Sequence, residues 1–208
     1  MNTTAARIVA DLPNAEYHAH DALSASGLKE MLRSPRHYQA YRDGERTKNT
    51  KALAIGRLIH TVILEPDRAD ADFFVYDGIN RGKEFDAAQL ANPGRHAIKP
   101  DQWDAACRIR DAVFANPDAA ALLTLAGRAE DSIFWRDLYT GVECRCRPDW
   151  LTESGLLVDI KTARDARPDA FGRAAGDLGY HMAAAHYAEG LAAVTGGEPA
   201  MFPMVFIA

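Results

Sequence analysis

Two aspartates and a lysine stand inside the arms of what reads as a β-hairpin, "RPDWLTESGLLVDIKT" at residues 147–162. Acidic residues are poor strand formers, and a buried charge is costly unless it is paired or bound to a metal. A three-residue loop, Glu153-Ser154-Gly155, would put Gly155 at the position where a left-handed backbone is wanted. In that register Asp149 lies opposite Asp159 and Arg147 lies opposite Lys161, with all four side chains on one face. Directly opposed carboxylates repel by a few tenths of a kcal/mol to about 1 kcal/mol, and a divalent cation between them reverses the sign. Carboxylate oxygens suit Mg²⁺, which keeps several waters and leaves room for a phosphate. Lys161, one strand repeat beyond Asp159, would orient or deprotonate an attacking water, or offset growing phosphate charge. The plain alternative is a surface hairpin with an ion pair of little energetic worth.

The elements that must position this hairpin follow from periodicity and caps. "LSASGLKEMLRS" predicts a helix capped by Ser24 or Ser26, with Leu28, Met31 and Leu32 at helical spacing, and Pro35 starts another. "TKALAIGRLIHTVILEP" predicts a strong helix with a broad apolar face, ended by Pro66. A short strand "FFVY" follows, then a helix from Asp101 to Phe114, a break at Asn116-Pro117 and a second short helix. "DSIFWRD", "GVECRCRPDWL" and "LLVDIKTA" predict successive strands, the first two joined by "LYTG". Alternation along the second strand puts Glu143, Arg145, Arg147 and Asp149 on one face, and the apolar opposite face implies a sheet buried on one side only. A helical stretch interrupted at Gly176 and Gly179 and a final apolar strand "AMFPMVFIA" complete the chain. Residues 1–20 read as an arm or edge segment. This order predicts a mixed α/β core with helices on its faces.

Bulk properties narrow the partners. The chain has 208 residues, enough for one substantial core, and a formal net charge of −5. That charge argues against coating nucleic acid through bulk positive potential, but a carboxylate metal site beside a local basic patch remains compatible with a nuclease. "RSPRHYQAYRDGERTKNTK" gathers Arg33, Arg36, Arg42, Arg46, Lys48 and Lys51 with Tyr38 and Tyr41 interleaved. Such a stretch is either a DNA-backbone patch or a solvated surface. Cys107, Cys144 and Cys146 lack CxxC spacing and read as reduced, small apolar residues. No apolar run approaches the roughly 18 residues of a membrane span, and the N-terminus lacks a secretory pattern. A cytoplasmic protein without membrane partners is expected.

Pro148-Asp149 followed by Asp159-Ile160-Lys161 resembles the PD-(D/E)xK signature of restriction-endonuclease-like nucleases. In wider order, "LSASGLKEMLRSPRHY", "ALAIGRLIHTVILEP", "AEDSIFWRD", "TGVECRCRPDW", "VDIKTARDA" and "GYHMAAAHYAEG" resemble the exodeoxyribonuclease VIII (RecE-type) 5′→3′ exonucleases. The resemblance runs from about Leu23 to the end. It implies an N-terminal arm over 1–22 and a single nuclease domain over 23–208, a mixed central sheet flanked by helices, with a C-terminus shorter than in relatives.

It also implies roles. Asp149 and Asp159 match the metal-binding carboxylates, the Ile160 carbonyl adds a ligand, Lys161 matches the catalytic lysine, and His60 matches a helix-borne histidine that approaches the metal. Glu130 matches an acidic position before the first core strand, for a second metal or its water. Implied cofactors are two Mg²⁺ ions, with Mn²⁺ as substitute. Implied partners are double-stranded DNA ends, a single-strand annealing protein and further copies in a homo-oligomeric ring; Arg33, Arg36 and Arg42 of the basic stretch, with Tyr180, are the candidates to touch the DNA. The implied setting is recombination or phage DNA processing. One departure stands out: relatives carry a glutamine in a Tyr-x-x-Gln-x-x-x-Tyr-like pattern, where "YHMAAAHY" has Ala183. A DNA-end-binding protein with reduced or lost catalysis is therefore the competing reading, with His181 or His186 as possible compensation. Iron–sulfur relatives of the fold need four clustered cysteines, one more than the chain contains.

Overall fold

Small polar caps and prolines set where the helices begin. In a computed structural model that describes residues 5–44, 51–198 and 204–208, the Gly27 N–H donates to Ser24 Oγ at 3.3 Å and the His37 N–H to Ser34 Oγ at 3.2 Å. Asn116 Oδ1 accepts from the N–H groups of Asp118 and Ala119. Pro35 and Pro117 occupy first-turn positions, where the missing N–H costs nothing.

In chain order the elements are β1 (Arg7–Val9), α1 (Asn14–Ala19), α2 (Ala25–Arg33), α3 (Pro35–Arg42), α4 (Lys51–Leu64), a 3-10 turn (Pro66–Arg68), α5 (Ala69–Asp72), β2 (Phe73–Val75), α6 (Lys83–Ala91), β3 (His96–Ile98), α7 (Pro100–Ala115), α8 (Pro117–Leu123), β4 (Gly127–Ala129), β5 (Ser132–Arg136), β6 (Glu143–Cys146), β7 (Trp150–Thr152), β8 (Leu157–Ile160), α9 (Pro168–Asp177), α10 (Tyr180–Thr195) and β9 (Met204–Ile207). They fall into two units: residues 1–46 with 125–208, and residues 47–124.

In the 47–124 unit, α4 buries Leu58, Ile59, Val62 and Ile63 and packs against α7. The strands β2 and β3 pair in parallel. Arg57 ties α4 to them, donating to Asp72 at 3.2 Å and lying 2.9 Å from His96 Nε2.

The other unit carries two sheets, ordered β1-β5-β6 and β4-β7-β8-β9, antiparallel except for the parallel β8–β9 pair. Ile133, Trp135, Cys144, Cys146, Leu151 and Leu157 form one core, with Tyr187 and Leu191 of α10 packed on it. The helix comes close because Gly190 has no side chain: a Cβ there would lie 2.7 Å from the Trp135 ring. On the other face of β5, Tyr17, Ala22 and Phe134 form a smaller cluster under α1.

Three expectations about the strands are corrected. "GVECRCRPDWL" is not one strand. Pro148, fully buried and without an N–H for a ladder bond, separates β6 from β7, and the chain passes from one sheet to the other. The alternation slips by one residue there. Arg145 lies against Tyr17, opposite the Cys144 and Cys146 face, whereas Asp149 falls on the Leu151 face. Glu143, Arg145, Arg147 and Asp149 therefore do not share a face. The sheet is also not one-sided, because Leu157, Val158, Asp159 and Ile160 are all buried.

Candidate active site

Gly155, at φ +83°, closes the hairpin, and its N–H donates to the Thr152 carbonyl at 3.0 Å. The pairs Trp150↔Val158 and Leu151↔Leu157 fix the register, which carried one step further sets Asp149 against Asp159. Both carboxylates are buried, at 8% and 5% exposure. The Ile160 N–H donates to Asp149 Oδ2 at 2.6 Å, a short charge-assisted bond across the hairpin. Lys161 N–H donates to the Ile207 carbonyl of β9, so by strand alternation the N–H and carbonyl of Ile160 face the Asp149 edge. Lys161 Nζ forms an ion pair with Asp159 Oδ2 and lies 5.3 Å from the centre of the Tyr180 ring.

Glu130 joins this edge through a strained backbone. Its φ is +54°, a left-handed conformation unfavourable for a side-chain-bearing residue. Its N–H donates to the Asp149 carbonyl at 3.2 Å, and one of its carboxylate oxygens lies within 4.8 Å of one from Asp149. Arg147 does not accompany Lys161 as the register predicts. Its guanidinium stacks 4.1 Å over Tyr17, donates to Ser132 Oγ and the Leu12 carbonyl, and sits 3.9 Å from Glu130. The slip at Pro148 is the reason. Two buried carboxylates, a third beside them and a backbone carbonyl supply oxygen donors. Such a set fits a hard divalent cation, which would relieve the mutual repulsion of the acids.

The helix α10 lies over these groups. Burial, reinforced by neighbours that include Tyr17, Asp159 and Asp149, holds the Tyr187 hydroxyl well above the ordinary tyrosine range, so it stays a neutral donor. Tyr180 stacks on Phe206 of β9 at 5.6 Å. Ala183 lies between these two tyrosines in sequence, and the two nearby histidines differ in placement. His186 is buried in the core, its Nε2–H donating to the Arg145 carbonyl at 3.0 Å and its ring against Trp135, while His181 is exposed. Burial holds the His186 imidazole below its ordinary range. The unfolded chain then binds that proton more readily, so the stability it contributes is full above a pH of about 6.5 and is lost as pH falls through the folded value. His96 is shifted the same way by burial and then Arg57. Thermal melts from pH 7 to 5 are expected to show a falling midpoint, and His186→Gln should flatten part of that fall.

His60 is half-buried on α4, in the 47–124 unit. Arg33, Arg36 and Arg42 are exposed on α2 and α3; Arg33 is paired with Glu30 at 2.8 Å, and Arg42 lies 3.7 Å from Asp21. Arg46, Lys48 and the side chain of Lys51 lie outside the described residues. All three cysteines are free thiols. Among the described residues no helix is long and apolar enough to cross a membrane. Lys29 of α2 was not visible as a site residue, since it reads as the polar face of an amphipathic helix. The fold sets it beside Tyr180, 5.7 Å from the ring centre.

The fold and this hairpin define a restriction-endonuclease-like protein of the PDDEXK type. A family model described as "PDDEXK-like domain of unknown function (DUF3799)" matches residues 24–208, and the chain belongs to that family. The crystal structure of a "Putative exonuclease" from Eubacterium rectale is similar in fold, with a TM-score of 0.60 and 15% identity, over 95% of this chain and 72% of that one. A comparison with curated proteins gives no match.

Proposed function

We propose that the protein is a divalent-metal-dependent deoxyribonuclease that hydrolyses phosphodiester bonds from duplex ends. The observation that carries this reading is the register-locked set of Asp149, Asp159 and Lys161 at the end of one hairpin, with both carboxylates buried. Mg²⁺, or Mn²⁺ in its place, would be held by Asp149, Asp159 and the Ile160 carbonyl. Glu130 and, by resemblance, His60 are the further ligands for a pair of ions. The metal supplies Lewis-acid stabilisation of charge on the phosphate.

The protein's own groups do the rest. Asp149 is held by the Ile160 N–H, so its carboxylate needs no reorganisation when substrate arrives. Asp159 holds the Lys161 ammonium at the same edge, where it orients the attacking water and offsets the growing negative charge. Tyr187 remains a neutral hydroxyl among the acids. Exposed Arg33, Arg36 and Arg42 contact the DNA backbone, with Tyr180 closer to the reacting phosphate. The exodeoxyribonuclease VIII (RecE-type) resemblance supports 5′→3′ polarity, a homo-oligomeric ring, an annealing partner and a cytoplasmic role in recombination or phage DNA processing.

Ala183 favours a second reading, a protein of the same fold that binds DNA ends with reduced catalysis. One experiment separates them. Purified protein with Mg²⁺ or Mn²⁺ is expected to release nucleotides from linear duplex DNA and to spare closed circles. Gel-shift binding to ends without release in either metal would support the binding protein instead.

A further inference from the structure

Beside Tyr180, at the start of α10, the site holds a second ammonium next to that of Lys161. Lys29 of α2 is half-buried, and its stem crosses the left-handed Gly179 that starts α10: a Cβ at Gly179 would lie 3.3 Å from Lys29 Cε and 3.7 Å from Cδ. Its Nζ lies 5.7 Å from the centre of the Tyr180 ring, and Lys161 Nζ lies 5.3 Å from the same centre. The ring itself is fixed by stacking on Phe206 and by Phe171 at 6.0 Å. One rigid aromatic therefore gathers two cations from elements far apart in sequence.

The electrostatics agree with that geometry. Burial, then the charge of Lys161, hold the Lys29 ammonium below the ordinary lysine range, with Asp159 opposing. Asp159 is already paired with Lys161. The two ammoniums repel one another in a partly desolvated place, and a phosphate oxyanion between them relieves that repulsion. The π face of Tyr180 tolerates cations but cannot neutralise them.

We propose that Lys29 is a phosphate-binding residue of this site, its ammonium and that of Lys161 together holding a DNA phosphate beside Tyr180. The inference rests on the nuclease reading for its substrate, and its ligand chemistry is that of a phosphodiester oxyanion. Lysine is suited to the task as a compact point charge on a flexible stem.

The test uses the full chain and three proteins: wild type, Lys29→Met and Lys29→Arg. Methionine keeps the stem packed across Gly179 and removes the charge; arginine restores the charge. Duplex oligonucleotide binding is followed by fluorescence anisotropy across a salt series in EDTA, and hydrolysis is followed separately in Mg²⁺. Losing one phosphate contact is expected to reduce the slope of log K against log salt by about 0.9. Lys29→Met should show that reduction and lose about 10–100-fold in kcat/KM, and Lys29→Arg should recover both. An unchanged slope in Lys29→Met would overturn the proposal, as would equal loss in both variants with a lowered unfolding midpoint, which marks a packing role. If wild type cleaves nothing but Lys29→Met still loses the slope, the nuclease reading fails and the phosphate contact stands.

Discussion

Replacing Asp159 by asparagine is expected to lower duplex-DNA hydrolysis at saturating Mg²⁺ by about a thousand-fold while leaving the fold in place. The magnitude follows from the charge alone. A metal ligated by two carboxylates stabilises developing phosphate charge by several kcal/mol, and about 4 kcal/mol of lost stabilisation is roughly three factors of ten in rate. Asparagine matches aspartate in volume, so Leu157 and Val158 keep their packing. Removing one member of a buried ion pair is costly when the other stays buried, but Lys161 keeps 26% of its side-chain surface and can turn to solvent. The unfolding midpoint should therefore move by only a few degrees. Calorimetric titration with Mn²⁺ gives the second readout: binding should weaken in Asp159→Asn and survive in Lys161→Met, although both variants are expected to hydrolyse slowly. Wild-type hydrolysis by Asp159→Asn would remove the assigned centre altogether.

The hairpin at the heart of that prediction was legible in the sequence because a loop has few ways to close. Three residues ending in glycine set Thr152 against Leu156, and every later pair follows by counting, so the Leu151↔Leu157 and Trp150↔Val158 register is contained in the loop length alone. Most helices were legible for a similar reason, since serine caps, first-turn prolines and the Asn116-Pro117 break act within a few residues.

What stayed hidden depends on contacts distant in sequence. Alternation predicts a face only while a strand stays in one sheet, and nothing in "CRCRPDW" announces that Pro148 hands the chain to another sheet. The left-handed backbone of Glu130 was equally hidden, because it is imposed by the bond from its N–H to Asp149 rather than by its own preference. Residues 5–19 look patternless in isolation. β1 takes its order from pairing with β5, and α1 from placing Tyr17 between Arg145, Arg147 and Phe134. Lys29 belongs to the same class, since only the packing of α2 against α10 brings it to Tyr180.

Leu157→Ala is expected to destabilise the protein by about 3 kcal/mol, within the roughly 2–5 kcal/mol range of such core truncations. Leu157 has no exposed surface, lies on β8 between β7 and β9, and belongs to the core of Ile133, Trp135, Cys144, Cys146 and Leu151 beneath Tyr187 and Leu191. Its neighbours come from three strands and a helix already in close contact at Gly190, so the space left by three carbons cannot be refilled by one adjustment. For a chain of this size the midpoint should fall by roughly 6–12 °C. Leu138→Ala, at a loop position 96% exposed, should stay within about 0.5 kcal/mol of wild type. The position also separates stability from catalysis, because Asp159 follows two residues later on the same face. If β8 is held mainly by its ladders, with Lys161 N–H bonded to the Ile207 carbonyl, and by the Ile160 N–H bond to the Asp149 side chain, the variant should keep kcat within about ten-fold at temperatures where it is folded. A folded Leu157→Ala as slow as Asp159→Asn would show instead that the core beneath β8, and not the ladders, holds the carboxylates in register.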